Sequence, residues 1–288
     1  MAPTPPRIYC LVATQAPVVA VFRRGPSEWA HVGRWDLAQN RYEPGGWLRG
    51  RIFPRRSDIS PDGQWLCYFA HNPNARWDHG EAYVAVAKLP WLTALYAVAT
   101  CGTWTRGYYF TTDGFTTDGS GHIPPGTKMP IPYGLQAMTI EQFANERRRG
   151  WVEAPDSPPR SVGGAWDENR NARLQKMQPG GDGLGPAAQG QRLLRVESLG
   201  RAGGEFGVDQ AVDGLRVVYT LDTNSDIEVL ADVQWADWDA QGRLLVATRS
   251  GKLQIRTLQR YSFEVAFEVD LSTLEPNPTA APAWAQQW

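Results

Sequence analysis

At 288 residues the chain is long enough to bury a substantial core, and 42% hydrophobic with 20% charged residues is the composition of an ordinary soluble globular protein. A formal net charge of −1 argues against a dedicated nucleic-acid binder. No window reaches the apolar length of a membrane span, and the start Met1-Ala2-Pro3-Thr4-Pro5-Pro6-Arg7 lacks the pattern of a secretory signal, so the expected compartment is the cytoplasm.

Taken in order, the chain offers strand-like runs at Ile8–Thr14, Val18–Phe22, Trp29–Leu37 and around Trp47–Arg49, separated by Gly/Pro turns, which read as a first antiparallel meander. Ser57–Ser60, Gln64–Ala70 and Ala82–Leu89 read as a second, and Leu92–Ala99 with Gly107–Thr112 as the opening of a third. Residues 119–190 interrupt this pattern with a Pro/Gly-rich stretch, one helical segment and the loop Gln178–Gly190. The helix is predicted over Thr139–Trp151: Thr139 stands as N-cap with Gln142 at the box position, and Arg147–Arg149 followed by Gly150 close it. Beyond the interruption, Leu193–Leu199, Glu205–Val208, Leu215–Leu221 and Asp226–Leu230 form one meander. Trp235–Asp239, Arg243–Thr248, Lys252–Leu258 and Ser262–Leu271 form another, with Arg249-Ser250-Gly251 as a hairpin turn.

Two stretches repeat each other. Setting Gly63 against Gly242 aligns Asp58 with Asp237, Ser60 with Asp239 and Leu66 with Leu245. Each copy is a short strand, a tight turn closed by glycine and an apolar strand, which is the inner hairpin of a propeller blade. The copies lie 179 residues apart, a span that four-stranded, WD40-like blades of about 40–45 residues fill. The expected fold is therefore all-β: a β-propeller of five blades, with six as the alternative, as a single domain over residues 7–275. It carries a helix-containing insertion at 119–190 and a tail at 276–288. Thirteen Trp supply the large flat side chains that fill the wedges between sheets. Cys10, Cys67 and Cys101 are widely spaced beside apolar strands and read as buried free thiols.

Arg56-Ser57-Asp58-Ile59-Ser60-Pro61-Asp62-Gly63, Trp91-Leu92-Thr93-Ala94-Leu95, Ala236-Asp237-Trp238-Asp239 and Ala281-Pro282-Ala283-Trp284-Ala285 together give a chain that resembles a family of uncharacterised bacterial hypothetical proteins. The Ser-Pro-Asp-Gly turn is similar to the blade turn of TolB-type propellers. The resemblance implies relatedness and soluble character and carries no activity; the turn is structural and implies fold alone.

Sites of chemistry are sparse. His71-Asn72-Pro73-Asn74-Ala75-Arg76-Trp77-Asp78-His79-Gly80-Glu81 holds metal-type ligands, but at no standard spacing, and reads as a turn between strands. Thr111-Thr112-Asp113-Gly114 and its repeat Thr116-Thr117-Asp118-Gly119 read as two Asp-Gly turns rather than a Ca²⁺ loop, which needs alternating acids and a distal Glu. Gly181-Asp182-Gly183-Leu184-Gly185 lacks the strand and helix a phosphate cradle needs. Asp237 and Asp239 alternate as a glycosidase pair might, yet read as turn-stabilising acids. The motifs of a nucleophile elbow, a Cys-x-x-Cys or a His-Glu-x-x-His are missing.

One segment suits recognition. Trp47, Arg49, Arg51, Phe53, Arg55 and Arg56 place four arginines and two aromatics in ten residues, and these are the side chains enriched at interface hot spots. Charge is also uneven: residues 1–150 carry about +5 and residues 151–288 about −6. The expected role is a protein-interaction platform without catalytic activity, cofactor or metal, binding another protein through Trp47–Arg56. Asp58, Gly63, Asp237 and Gly242 serve as structural turn residues. The rival readings are a propeller hydrolase or lyase using residues from several blades, and a glycan or small-molecule binder using an exposed Trp such as Trp77 or Trp104.

Overall fold

The computed structural model describes residues 5–25, 28–72, 81–104, 106–116, 122–139, 141–159, 171–180, 192–201, 215–223, 226–260 and 262–288. They form two compact units, one of Cys10–Thr139 with Glu275–Trp288, the other of Pro5–Tyr9 with Ile140–Leu274. Among the described residues almost everything regular is strand, and no helix is long and apolar enough to cross a membrane.

The first unit begins with a meander of order β1 (Arg7–Val12), β2 (Val18–Arg24), β3 (Trp29–Asp36) and β4 (Arg41–Arg49). The residues Arg7–Tyr9 of β1 group with the second unit. The Val-rich β2 is buried along almost its whole length, as a central strand must be. Asp36 makes the next turn: its Oδ1 accepts the amides of Ala38 (3.0 Å) and Gln39 (2.9 Å), and Asn40 takes a left-handed φ of 49°. In the second sheet β5 (Arg51–Ile52) and β6 (Asp58–Ile59) share one edge of β7 (Trp65–His71), which continues to β8 (Ala82–Lys88) and β9 (Tyr96–Ala99). A 3-10 turn at Pro54–Arg56 divides the edge strand in two. Ser57 bridges the gap, donating through Oγ to the Phe53 carbonyl (2.8 Å) and accepting from the Phe69 amide (3.3 Å). The strands β10 (Tyr108–Thr111) and β11 (Gly134–Ala137) form a separate pair whose Tyr108, Phe110 and Leu135 complete an apolar core with Cys67, Phe69 and Val84.

In the second unit α1 (Ala144–Arg148) precedes a five-stranded meander of β12 (Val152–Glu153), β13 (Arg173–Met177), β14 (Leu193–Arg201), β15 (Leu215–Asp222) and β16 (Ile227–Val229). A last meander follows, of β17 (Val233–Trp238), β18 (Leu244–Thr248), β19 (Lys252–Gln259) and β20 (Ser262–Asp270). Both contribute to one core, including Leu174, Leu194, Tyr219, Trp238 and Leu244.

The protein is thus all-β, in sequential antiparallel meanders of the kind that make propeller blades. The count differs from the sequence expectation: the described residues form four such meanders, not five or six, and a two-stranded pair. Two reassignments account for this. Tyr96–Ala99, expected to open a third blade, instead closes the second sheet against β8. The region 119–190, expected as an insertion, supplies β11 to the two-stranded pair and β12 and β13 to the next sheet. The predicted helix shrinks to five residues. Thr139 does not cap it; the residue before it is Phe143, at a left-handed φ of 62° with its ring buried, so core packing of Phe143 overrides the local capping signal. The expected strand Glu205–Val208 lies outside the described residues. Cys10 and Cys67 are buried and burial pushes both thiols up, but Cys101 is exposed, contrary to expectation.

Candidate functional site

The segment 47–56 forms the corner where β4 ends and β5 begins. Gly50 makes the corner: its amide donates to the Glu28 carbonyl (2.9 Å), and a Cβ there would stand 2.7 Å from the His71 carbonyl oxygen. Arg49 and Arg51 flank it. Arg49 is exposed and pairs with the equally exposed Glu28 at 3.0 Å, holding that carboxyl below its usual range. Such a pair in water is weak and easily exchanged for another partner. The Arg51 guanidinium lies 5.6 Å from the centre of the Phe53 ring.

Beneath these two the remaining residues are engaged inwards. Phe53 is buried against Phe69, with ring centres 5.1 Å apart. Arg56 lies over both rings, at 5.0 and 5.5 Å, and donates to the Thr103 carbonyl, so it serves as a structural post. Arg55 is half-buried. Trp47 stacks on His31, with centres 4.4 Å apart and planes at 29°, and the Arg23 guanidinium lies 5.9 Å from the same ring. The aromatics of the segment therefore form its base rather than an exposed hot spot. The structure adds a residue that sequence proximity does not reveal. Gly107 packs directly against the Arg56 backbone, which brings the exposed Arg106 beside the corner. Some fifty residues separate the two in sequence, and no local signal joins them.

His31 is the centre of the supporting network. Its cross-strand neighbours are Arg23 on β2 and Trp47 on β4, so the three form one row across the sheet. Nδ1 lies 3.0 Å from the Gly46 carbonyl and therefore donates, which leaves Nε2 to accept from the Tyr42 hydroxyl at 2.9 Å. Burial, with Arg23 close by, lowers its pKa to about 4, so the ring is neutral at physiological pH.

The repeated turns have similar geometry and different attachments. Gly63 and Gly242 have φ of 72° and 75°, and their amides donate to Ser60 (2.9 Å) and Asp239 (3.1 Å) carbonyls at equivalent positions. The hairpin registers differ by one residue, because Ile59 pairs with Leu66 while Trp238 pairs with Leu244. Asp58 accepts the Phe110 amide (3.0 Å) and so ties β10 to the second sheet. Asp237 instead accepts from the Trp238 amide (2.8 Å) and from Lys176 Nζ (2.7 Å); burial pushes its pKa up and Lys176 draws it back. Asp239 receives the amides of Gln241 and Arg243 and the Arg243 guanidinium at 2.6 Å. The two acids are separately neutralised, each by its own base.

His71 meets Glu81 at 3.3 Å, and the intervening 73–80 lie outside the described residues, as do Trp77, Asp118 and 181–185. Asp113 closes an ordinary turn, accepting from Thr111 Oγ1 (2.7 Å) and the Phe115 amide (3.1 Å). Among the described residues no three His, Cys, Asp or Glu side chains gather to hold a metal ion.

Fold and corner together define an all-β protein of blade-type meanders carrying an arginine corner on an aromatic base. Comparison with protein-family models, curated proteins and solved structures finds no match to this chain.

Proposed function

We propose that the protein is an interaction platform built on propeller-type sheets, and that its β4–β5 corner recognises an acidic segment of another protein. The observation that supports this reading most is the contrast within the corner. Phe53, Arg56 and Trp47 are locked into the unit, while Arg49 and Arg106 stand exposed on that rigid base beside the half-buried Arg51, Arg49 in a water-exposed pair with Glu28. A rigid support reduces the entropy lost on binding, and guanidinium forks pair with carboxylates in a defined geometry.

The test is a double charge reversal, Arg49→Glu with Arg51→Glu, in a tagged protein recovered from its own cells and analysed by mass spectrometry of what accompanies it. Surface changes of this kind leave folding close to that of the wild type. A protein that accompanies the wild type and a Lys128→Glu control, but not the double variant, is the expected result. An unchanged set of companions overturns the reading.

A further inference from the structure

The sheet β12–β16 of the second unit has two faces of opposite character, and the strand registers assign its residues to one or the other. Leu174 pairs with Val196 and Val196 with Tyr219, and all three belong to the apolar core. The alternate residues take the outward side. There one row runs Val152, Gln175, Arg195, Thr220 and Val229, and the next runs Met177, Leu193, Asp222 and Ile227. Val152 is 56%, Met177 53%, Ile227 61% and Val229 57% exposed. Four of the nine large hydrophobic side chains exposed among the described residues therefore share one face of one sheet, which is more than the single scattered residues any surface carries.

The charged groups of this face are paired within it. Arg195 meets Asp222 at 3.3 Å, and Arg173 meets Glu197 at 3.0 Å. A partner that covers the face thus leaves no charge newly unpaired. The arrangement is also self-complementary. Val152 and Met177 stand towards the β12–β13 margin, Ile227 and Val229 on the β16 margin, and the ion pairs lie between. Turned over on itself by a two-fold axis, such a face sets apolar margins against apolar margins and a neutral centre against a neutral centre. A strongly charged partner gains nothing here, whereas a second copy meets little long-range repulsion because the net charge is only −1. At about 4.8 Å between strands and 3.3 Å per residue, the five strands cover roughly 400 Å² in projection. A stable interface takes about 800 Å² from each partner, so this face supports a reversible association. We propose that the outward face of β12–β16 is the contact of a weak, two-fold symmetric dimer of this chain.

The test is made on the full chain by sedimentation velocity, from about 1 to 500 µM. The weight-average mass is expected to rise from that of a monomer towards twice that value, with half-association between about 10 and 100 µM. Ile227→Lys with Val229→Lys raises the midpoint at least about tenfold. Val265→Lys, at an exposed apolar site on β20, leaves it unchanged. Val152→Lys with Met177→Lys tests the opposite margin on different strands, so a folding defect in one variant does not decide the outcome. In the wild type the ¹³C-methyl signals of Met177 and Ile227 move on dilution, while that of Val265 does not. The dimer persists in 1 M NaCl, at about 3 Å screening length, because its charges are paired within each copy. Arg49→Glu with Arg51→Glu leaves the association as it is, which separates failure here from failure of the platform reading. A mass that stays monomeric at about 500 µM overturns the proposal. So does a dimer that both lysine pairs leave intact, or one that high salt disperses.

Discussion

His31 shows how much a single buried side chain sets in this protein. Its folded pKa of about 4 lies below the ordinary 6.5, so the unfolded chain binds a proton that the native state refuses between those values. The resulting stability is complete above pH 6.5 and is lost progressively as pH falls towards 4. A shift of that size corresponds to roughly 3 kcal/mol, at about 1.4 kcal/mol per pH unit. His31→Gln, which keeps a donor and an acceptor but does not titrate, is expected to flatten the dependence of the urea midpoint on pH across this window. A second residue-scale prediction concerns the turn glycines. Gly242 and Gly150 have similar φ of 75° and 83°, but a Cβ at Gly242 would lie 2.6 Å from the Pro179 carbonyl, whereas at Gly150 it meets nothing within 4 Å. Gly150→Ala should cost only the left-handed strain of about 1–2 kcal/mol. Gly242→Ala should cost clearly more, and equal losses on thermal melting would show that the close approach is unimportant.

At the scale of elements, the pair β10–β11 is held to the second sheet by a side chain. Asp58 accepts the Phe110 amide, a group that is otherwise buried beside an apolar core. Asp58→Ala leaves that N–H unsatisfied at a cost of about 1–3 kcal/mol, whereas Asp58→Asn retains an acceptor. Amide exchange at Phe110 and at its partner Leu135 is expected to quicken in the alanine variant and to stay near the wild type in the asparagine variant. The outer strands show the complementary device. Both β4 and β20 end their sheets, and both carry a bulge, opposite His31–Gly33 and Ile255–Arg256 respectively. Pro44 on β4 and Glu264, Glu268 and Asp270 on β20 add to the protection, so each edge resists pairing with another chain.

At the scale of the whole molecule, charge is what the platform reading depends on. Exposed arginines act through the solvent, where the screening length falls from about 10 Å at 0.1 M salt to about 3 Å at 1 M. Capture of the partner through the β4–β5 corner should therefore weaken steadily as salt rises, with the loss expressed mainly in the association rate. Capture that survives 1 M salt would point to an apolar surface instead.

The amino-acid sequence by itself determined the all-β character, most strand positions and the two glycine turns, because alternation, turn residues and positive-φ demands are local properties. Val18–Phe22 and Arg243–Thr248 were legible for that reason. Less legible was β13, whose Arg173, Gln175 and Lys176 dilute its pattern to one buried leucine; only its pairing with β12 and β14 makes it a strand. Tertiary structure decided the number of meanders, since Tyr96–Ala99 could join either sheet until β8 claimed it. It also decided the site. Which of Trp47, Arg49, Arg51, Phe53, Arg55 and Arg56 face inwards depends on His31, Phe69 and Thr103, and Arg106 reaches the corner only because Gly107 packs on Arg56. Burial and cross-strand partnership are properties of the assembled sheets, and a local pattern of residue types does not contain them.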